Sequence, residues 1–328
     1  MAMRDDFLKM DAELETQRKI DDLKIAKLYA NTSKSIKQDV AKLYEKYSGN
    51  IDEVKKYGRL DNVKNSIVDE IKKVNKRSKD EIMEQMAYSY EDAYYRSAFA
   101  IENNVGIDLK FHKTISKTTE KNIYENPFDR IGFSERNKQN NSRIINNLKN
   151  DIYMGLTQGE DYGYISKRIS ESLSVGAFKA MRIARTETHR ITGQARQDIL
   201  SEANEKGVKM KKMWVATLDD RTRDAHQSLD GVTIELDEEF ISDFGGRGLQ
   251  PGQMGTAEDD INCRCTHIGV LAGYEPSVRR ARSEAENKGE LIQYKNYKEW
   301  KDAKDENKNL GKFIVKFNSV KNSGVELD

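Results

Sequence analysis

The chain has 328 residues and a mass of 37.7 kDa, enough for two or three domains at about 100–200 residues each. Apolar residues make up 37% and charged residues 34%, with 56 Lys+Arg against 55 Asp+Glu. That balance excludes a uniformly basic nucleic-acid binder and an acidic solubility tail, so any electrostatic partner must be met by a local patch.

Residues 1–50 read as two helices separated at Asn31-Thr32-Ser33, where the hydroxyls resemble an N-cap. Ser48-Gly49-Asn50 then stops the second. Residues 51–104 read as a short helix and a long one, the long one opened by a capping box at Ser78-Lys79-Asp80-Glu81. Ile82, Met86, Tyr90 and Ala93 continue it at helical spacing, and the tyrosines at 88, 90, 94 and 95 read as a helix–helix seam rather than a base-stacking platform. Residues 105–133 are irregular, with a boundary at Asn126-Pro127. A helical pattern returns from Ser134 to Leu156, turns at Gly155–Gly163, and resumes as a short helix to Leu173. A break at Ser174-Val175-Gly176 leads into a further helix to about Gly207.

On the wheel of that last helix, Lys179, Arg182, Arg185, His189, Arg190 and Arg196 form a basic stripe. Its functional reading is contact with the phosphates of double-stranded DNA. Its plain reading is pairing with some of the chain's 55 acids.

After Gly207 the pattern shifts toward strands: Met210–Thr217, Val232–Leu236 and Ile261–Leu271, with a short helix over Asp219–Leu229. Residues 243–257, rich in glycine, read as a flexible or partner-ordered loop, without the Gly-Lys-Ser/Thr of a phosphate-binding loop. The last ~55 residues read as charged helix and then a strand near Phe313–Phe317. The boundaries follow as 1–133, 134–207, 208–272 and 273–328. The fold class is mainly α with a small α+β module: an elongated helical N-terminal region, a C-terminal mixed module with short strands, and a charged helical tail.

Two cysteines, Cys263 and Cys265, are too few for a disulfide framework and point to a reducing compartment. The N-terminus lacks the apolar core of a signal peptide, and no run is apolar enough to span a membrane, so no membrane anchor is expected.

The region from the basic helix onward carries the most specific pattern. Ala184-Arg185-Thr186-Glu187 is followed by Trp214, Asp219, Arg221, Arg223, His226, Asp230 and Gly231 in the arrangement W-x(4)-D-x-R-x-R-x-x-H-x-x-x-D-G. Asn262-Cys263-Arg264-Cys265 closes it. Over residues 175–270 this resembles the minor head proteins of tailed phages, the Mu gpF-like and SPP1 gp7-like head morphogenesis proteins, in the form found in phages of Gram-positive hosts. The resemblance implies a non-enzymatic virion component in the capsid interior, present in the host cytoplasm during assembly. It would act in capsid assembly or DNA packaging beside portal, capsid or scaffold proteins, with double-stranded DNA as a further partner.

The same residues allow other chemistry. In an extended strand, Cys263, Cys265 and His267 share one face, and His226 could complete a zinc set. Residues i and i+2 of a flat strand lie about 7 Å apart, so a metal needs a turn at Arg264. The leading reading has no cofactor: both cysteines are small buried hydrophobes, Arg264 points to the other face and pairs with Asp219 or Asp224, and His226 is a buried hydrogen-bonding residue. The alternative function is a nuclease or other hydrolase using His226 as base with Asp220, and Arg223 as phosphate clamp, with or without zinc. Trp214 reads as a core anchor and Asp230-Gly231 as a turn.

Overall fold

The structure is a computed structural model and describes residues 3–47, 59–111, 133–158, 160–271, 278–283, 288–293 and 314–315. Four long helices come first: α1 (Met3–Tyr47), α2 (Arg59–Val105), α3 (Phe133–Thr157) and α4 (Tyr162–Glu205). Then follow β1 (Met210–Val215), α5 (Asp224–Ser228), β2 (Thr233–Ile234), β3 (Phe240–Ile241), β4 (Arg247–Gly248), α6 (Ala257–Asp260), β5 (Thr266–Leu271), β6 (Val278–Ser283), β7 (Lys288–Gln293) and β8 (Ile314–Val315). The mainly helical class with a small α+β module is as expected.

Three expected breaks are absent. In α1, the Thr32 hydroxyl donates to the Leu28 carbonyl at 3.0 Å, so it is satisfied inside the helix instead of capping a new one. In α2, Ser78 is fully buried within a continuous 47-residue helix. In α4, Gly176 is packed rather than flexible: a Cβ there would lie 2.9 Å from Ile144 Cγ1 and 3.3 Å from Tyr29 Cε1. Asn140 reinforces that approach by donating to the Gly176 carbonyl at 3.1 Å. The expected boundaries at Ser48-Gly49-Asn50 and Asn126-Pro127 lie outside the described residues.

The chain divides into two compact units. One comprises residues 18–85 and 120–187. Its core is built from the apolar stripes of four helices: Ile25, Tyr29, Ile36 and Val40; Ile67, Ile71, Val74 and Ile82; Ile144, Leu148 and Ile152; Ile165, Ile169 and Leu173. Polar contacts join the helices, including Tyr162 to the Lys37 carbonyl at 3.1 Å and Lys24 to Glu81 at 3.0 Å.

The other unit comprises residues 1–17, 86–119 and 188–328. Here the tyrosine seam is real: Tyr90 and Tyr94 are buried, and their hydroxyls donate to Asp198 and Glu202 on α4. Tyr88 and Tyr95 face outward. Within this unit the α+β module has a three-stranded antiparallel sheet in the order β2-β1-β5. Trp214 on β1 pairs with His267 on β5, and Lys212 with Ile234 on β2. The Asp230-Gly231 turn closes the connection as expected. Gly231 takes φ +80°, its N–H donates to the Trp214 carbonyl at 2.9 Å, and Asp230 accepts the Ala216 N–H at 2.8 Å.

The module departs from expectation in four places. The helix expected over Asp219–Leu229 begins only at Asp224, because the Asp219 carboxylate holds residues 219–222 in a turn through the Arg221 N–H and the Thr222 hydroxyl. The strand expected from Ile261 begins at Thr266, because α6 ends at Asp260 and Asn262 takes φ +54°. The glycine-rich loop is ordered. β3 and β4 pair within it, Gln250 donates to the Arg190 carbonyl at 2.9 Å, and a Cβ on Gly248 would collide with the backbone of Gln253. In the tail, strands β6 and β7 pair where helix was expected, and β8, which pairs with β7, lies within the strand expected near Phe313–Phe317; the remaining tail residues lie outside the described residues. Gly289 within β7 disfavours helix there, whereas two six-residue strands close an antiparallel ladder.

Candidate functional site

The basic stripe of α4 does not form one solvent-facing row. Arg196 is fully buried and donates to Asp11 and to the His267 carbonyl, both at 2.8 Å, with its guanidinium over the Phe7 ring. Arg190 and His189 are also buried. These three cannot reach phosphates in this fold, which corrects the stripe at its C-terminal half. Arg185 is half exposed and pairs with Asp22 at 2.7 Å through Nε. Arg182 faces outward and Lys179 is partly exposed, with Arg143 of α3 near enough to disfavour a further charge. Slight burial, then Arg143 and Arg182, hold the Lys179 ammonium below its ordinary value. Glu187 is fully buried and pairs with Arg136, a cation that the motif did not include.

The module's centre is a cluster of Trp214, Ala216, Leu229, Phe240, Met254, Cys263 and Cys265. Trp214 anchors it as expected, edge-on to Phe240 at 5.1 Å and to the His226 ring at 5.4 Å. Arg264 forks onto Asp219, with Nη2 2.8 Å from Oδ1 and Nη1 on Oδ2. Burial alone would raise the Asp219 carboxyl, but Arg264 outweighs it and holds the group below the usual carboxylate range.

His226 is buried, and its two ring nitrogens face different groups. Nε2 lies 3.0 Å from Asp259 Oδ1. Asp259 is itself fully buried, and its other oxygen accepts from Ser242 at 2.8 Å and Thr256 at 2.7 Å. On the other side, Nδ1 lies 3.4 Å from Cys265 Sγ and 3.8 Å from Cys263 Sγ. Burial disfavours the charged imidazole, yet Cys265 and Asp259 raise its pKa above the ordinary value. The neighbouring Cys265 sulfur, together with burial, pushes the Cys263 thiol well up. Burial also opposes ionisation of Cys265, but Cys263 and His226 outweigh it and draw that thiol down.

The hydrolase alternative meets a correction here. The acid bound to His226 is Asp259, whereas Asp220 lies exposed in the loop before α5. Arg223 is committed to the backbone carbonyls of Ile261 and, at 3.4 Å, Asp259. The alternative metal set is corrected as well: His226, Cys263 and Cys265 gather within 4.8 Å of one another, but His267 stands apart. It is fully buried on β5, and burial, then Arg196, Lys212 and His189, hold its imidazole well below the ordinary value. A cavity of about 250 Å³ adjoins the cluster, lined by Thr217, Thr222, Arg223, His226, Arg264 and Cys265 among others. Asp259 was missed in the sequence because it is one of three consecutive acids with nothing local to rank them.

Comparison with known proteins places this architecture. The family described as Phage Mu protein F like protein matches residues 146–268. Over 289 residues the chain is 37% identical to the minor head protein GP7 of Bacillus phage SPP1, covering 86% of this chain and 92% of that protein. The chain belongs to the Phage Mu protein F like family. A second relative is an NAD(+)–arginine ADP-ribosyltransferase, EFV, of Enterococcus faecalis. It is 35% identical over 211 residues, which is 64% of this chain but 42% of that protein, so more than half of the latter lies outside the match. An uncharacterized protein of Haemophilus influenzae is 24% identical over 182 residues, 55% of this chain and 36% of its own. No solved structure matches the chain. The Mu F-like match begins at residue 146, earlier than the motifs at 175–270 suggested, and takes in the end of α3. A 289-residue match to the SPP1 protein also extends well beyond the motif region.

Proposed function

We propose that this chain is a structural minor head protein of a tailed phage, acting inside the capsid during assembly and DNA packaging. The observation that carries this reading is the 37% identity extending over 92% of a phage minor head protein. The surface is consistent with it. Tyr88, Tyr95 and Phe99 are exposed on α2 at spacings of seven and four, one face of the helix, where a portal, capsid or scaffold protein could seat. Among the described residues no helix is long and apolar enough to cross a membrane.

Contact with double-stranded DNA is assigned to Arg143, Lys179 and Arg182. Arg185 joins them only by giving up Asp22. The test of the role is proteomic: particles purified from an induced lysogen should contain this chain at low copy, and its absence from filled particles would overturn the proposal. DNA contact is tested by binding to linear duplex across a salt series. Three phosphate contacts predict a slope of log K against log[salt] of about −3, and Arg143→Ala/Arg182→Ala should bring it to about −1. An unchanged slope would remove this cluster from the DNA interface.

A further inference from the structure

We propose that His226, Cys263 and Cys265 bind one zinc ion, with its fourth position turned toward the cavity beside Cys265. The inference rests on the convergence of three donors on one point. A tetrahedral ion about 2.0 Å from an imidazole nitrogen and about 2.3 Å from a thiolate holds those two atoms about 3.5 Å apart. His226 Nδ1 stands 3.4 Å from one sulfur and 3.8 Å from the other, and all three donors lie within 4.8 Å of one another.

The spacing that argued against a metal in an extended strand is removed by the fold. Asn262 takes φ +54° immediately after α6, and the residues from 263 to 265 precede the strand, so both sulfurs turn to the same nitrogen. The outer partner is also in place. Asp259 accepts from His226 Nε2 at 3.0 Å, which fixes the tautomer with its proton on Nε2 and the lone pair of Nδ1 facing the sulfurs. Ser242 and Thr256 in turn hold Asp259. Trp214, edge-on to the imidazole, and the surrounding apolar cluster supply a dry wall.

Two other uses of these groups fit less well. Packing of small hydrophobes needs no buried carboxylate behind the histidine. A cysteine nucleophile needs a single sulfur on its histidine, whereas two are presented here. Zinc accounts for both sulfurs, the histidine and the carboxylate together. On binding, each thiol releases its proton to solvent and the imidazole remains neutral, so two thiolates balance the charge of the ion. The fourth ligand is water, reached through the cavity that Arg223 and Arg264 line.

The experiment uses the full chain, purified under reducing conditions and stripped with a chelator. It is titrated with zinc against a chromophoric competitor, and separately with cobalt(II). The expected result is one equivalent bound, with a thiolate-to-cobalt charge-transfer band and the intense visible bands of a tetrahedral ion. Cys263→Ser and Cys265→Ser should each abolish the charge-transfer-bearing site or weaken it severely. Because either variant could unfold the module, Asp259→Asn is the companion: it keeps all three donors and should weaken zinc binding about 10–100-fold while preserving the cobalt spectrum. Folded wild-type chain that takes up no metal overturns the proposal, as does cobalt bound without a thiolate band. Rapid alkylation of Cys265 that zinc does not slow also overturns it, and points instead to a lone reactive thiol. Each of these outcomes leaves the head-protein role untouched.

Discussion

Arg264 and Asp219 form the most exacting pair in the module, because a planar fork meets a buried carboxylate. Removing one member strands the other, and losses of about 3 kcal/mol are typical of broken buried pairs. We expect Arg264→Ala and Asp219→Asn each to lower the unfolding free energy by about 2–3 kcal/mol in urea titrations, with Arg264→Lys restoring little of the fork. The folded chain holds Asp219 ionised below the ordinary carboxylate range. The pair's stabilisation is therefore complete above that range and is lost as pH falls through the lowered value, so Asp219→Asn should flatten the acid limb of the stability curve. Lys212 gives the opposite limb. It is fully buried, donates to the Leu236 carbonyl at 2.9 Å, and burial brings its ammonium from 10.5 down to about 8 despite Asp237, Glu238 and Glu239. Between those values the unfolded chain binds the proton and the folded chain does not, so stability rises with pH across that window. Lys212→Met should abolish the rise, as read by thermal melts at stepped pH. At this scale much was legible: Arg264 reads in the sequence as the partner of Asp219 or Asp224 and forks onto Asp219, and Trp214, which reads as a core anchor, sits at the centre of the apolar cluster. Sequence proximity points to Asp220 as the acid for His226, whereas helix α6, 33 residues later, supplies Asp259.

Gly176 explains why helix boundaries were harder to read than helices. Alone it suggests a break, since glycine costs about 1 kcal/mol in a helix interior. In the folded unit it lets α3 and α4 approach until Ile144 and Tyr29 occupy the space of its missing side chain. Gly176→Ala should therefore destabilise by about 1–3 kcal/mol in spite of alanine's better propensity. Combining it with Ile144→Ala should cost less than the sum of the two single changes, measured as a double-mutant cycle by chemical unfolding. Thr32 and Ser78 follow the same logic: cap-forming residues sit inside α1 and α2 because burial of the surrounding stripes outweighs local preference. The glycine-rich loop shows the reverse. Its composition suggested freedom, yet Gly246, Gly248 and Gly252 each lie where a side chain would meet packed atoms. The apolar stripes of the long helices were visible in the sequence because their period is local. Loop order was not visible, because it depends on residues such as Arg190 lying 60 positions away.

At the scale of the whole molecule, opposite charges among the described residues pair in two settings. Arg136 with Glu187 and Arg196 with Asp11 are enclosed, while many i,i+3 pairs such as Lys73 with Glu70 lie on helix surfaces and contribute little each. The tail follows a separate rule: among the described residues, β6, β7 and β8 pair only with one another. A chain ending at residue 272 should keep the far-ultraviolet circular dichroism of its helices and the urea midpoint of the intact chain. A marked fall in that midpoint would show that the tail supports the rest. The partnership of Asp11 with Arg196 also has a consequence for biosynthesis. The two residues are 185 positions apart, and the unit containing them closes residues 1–17 onto residues beyond 188. At about 5–20 residues per second on the ribosome, Asp11 must wait about 10–40 s for its partner to be made. During that interval Phe7, Leu8 and Leu14 have no completed core to enter, so these residues need shelter until Arg196 and the segment that follows it emerge.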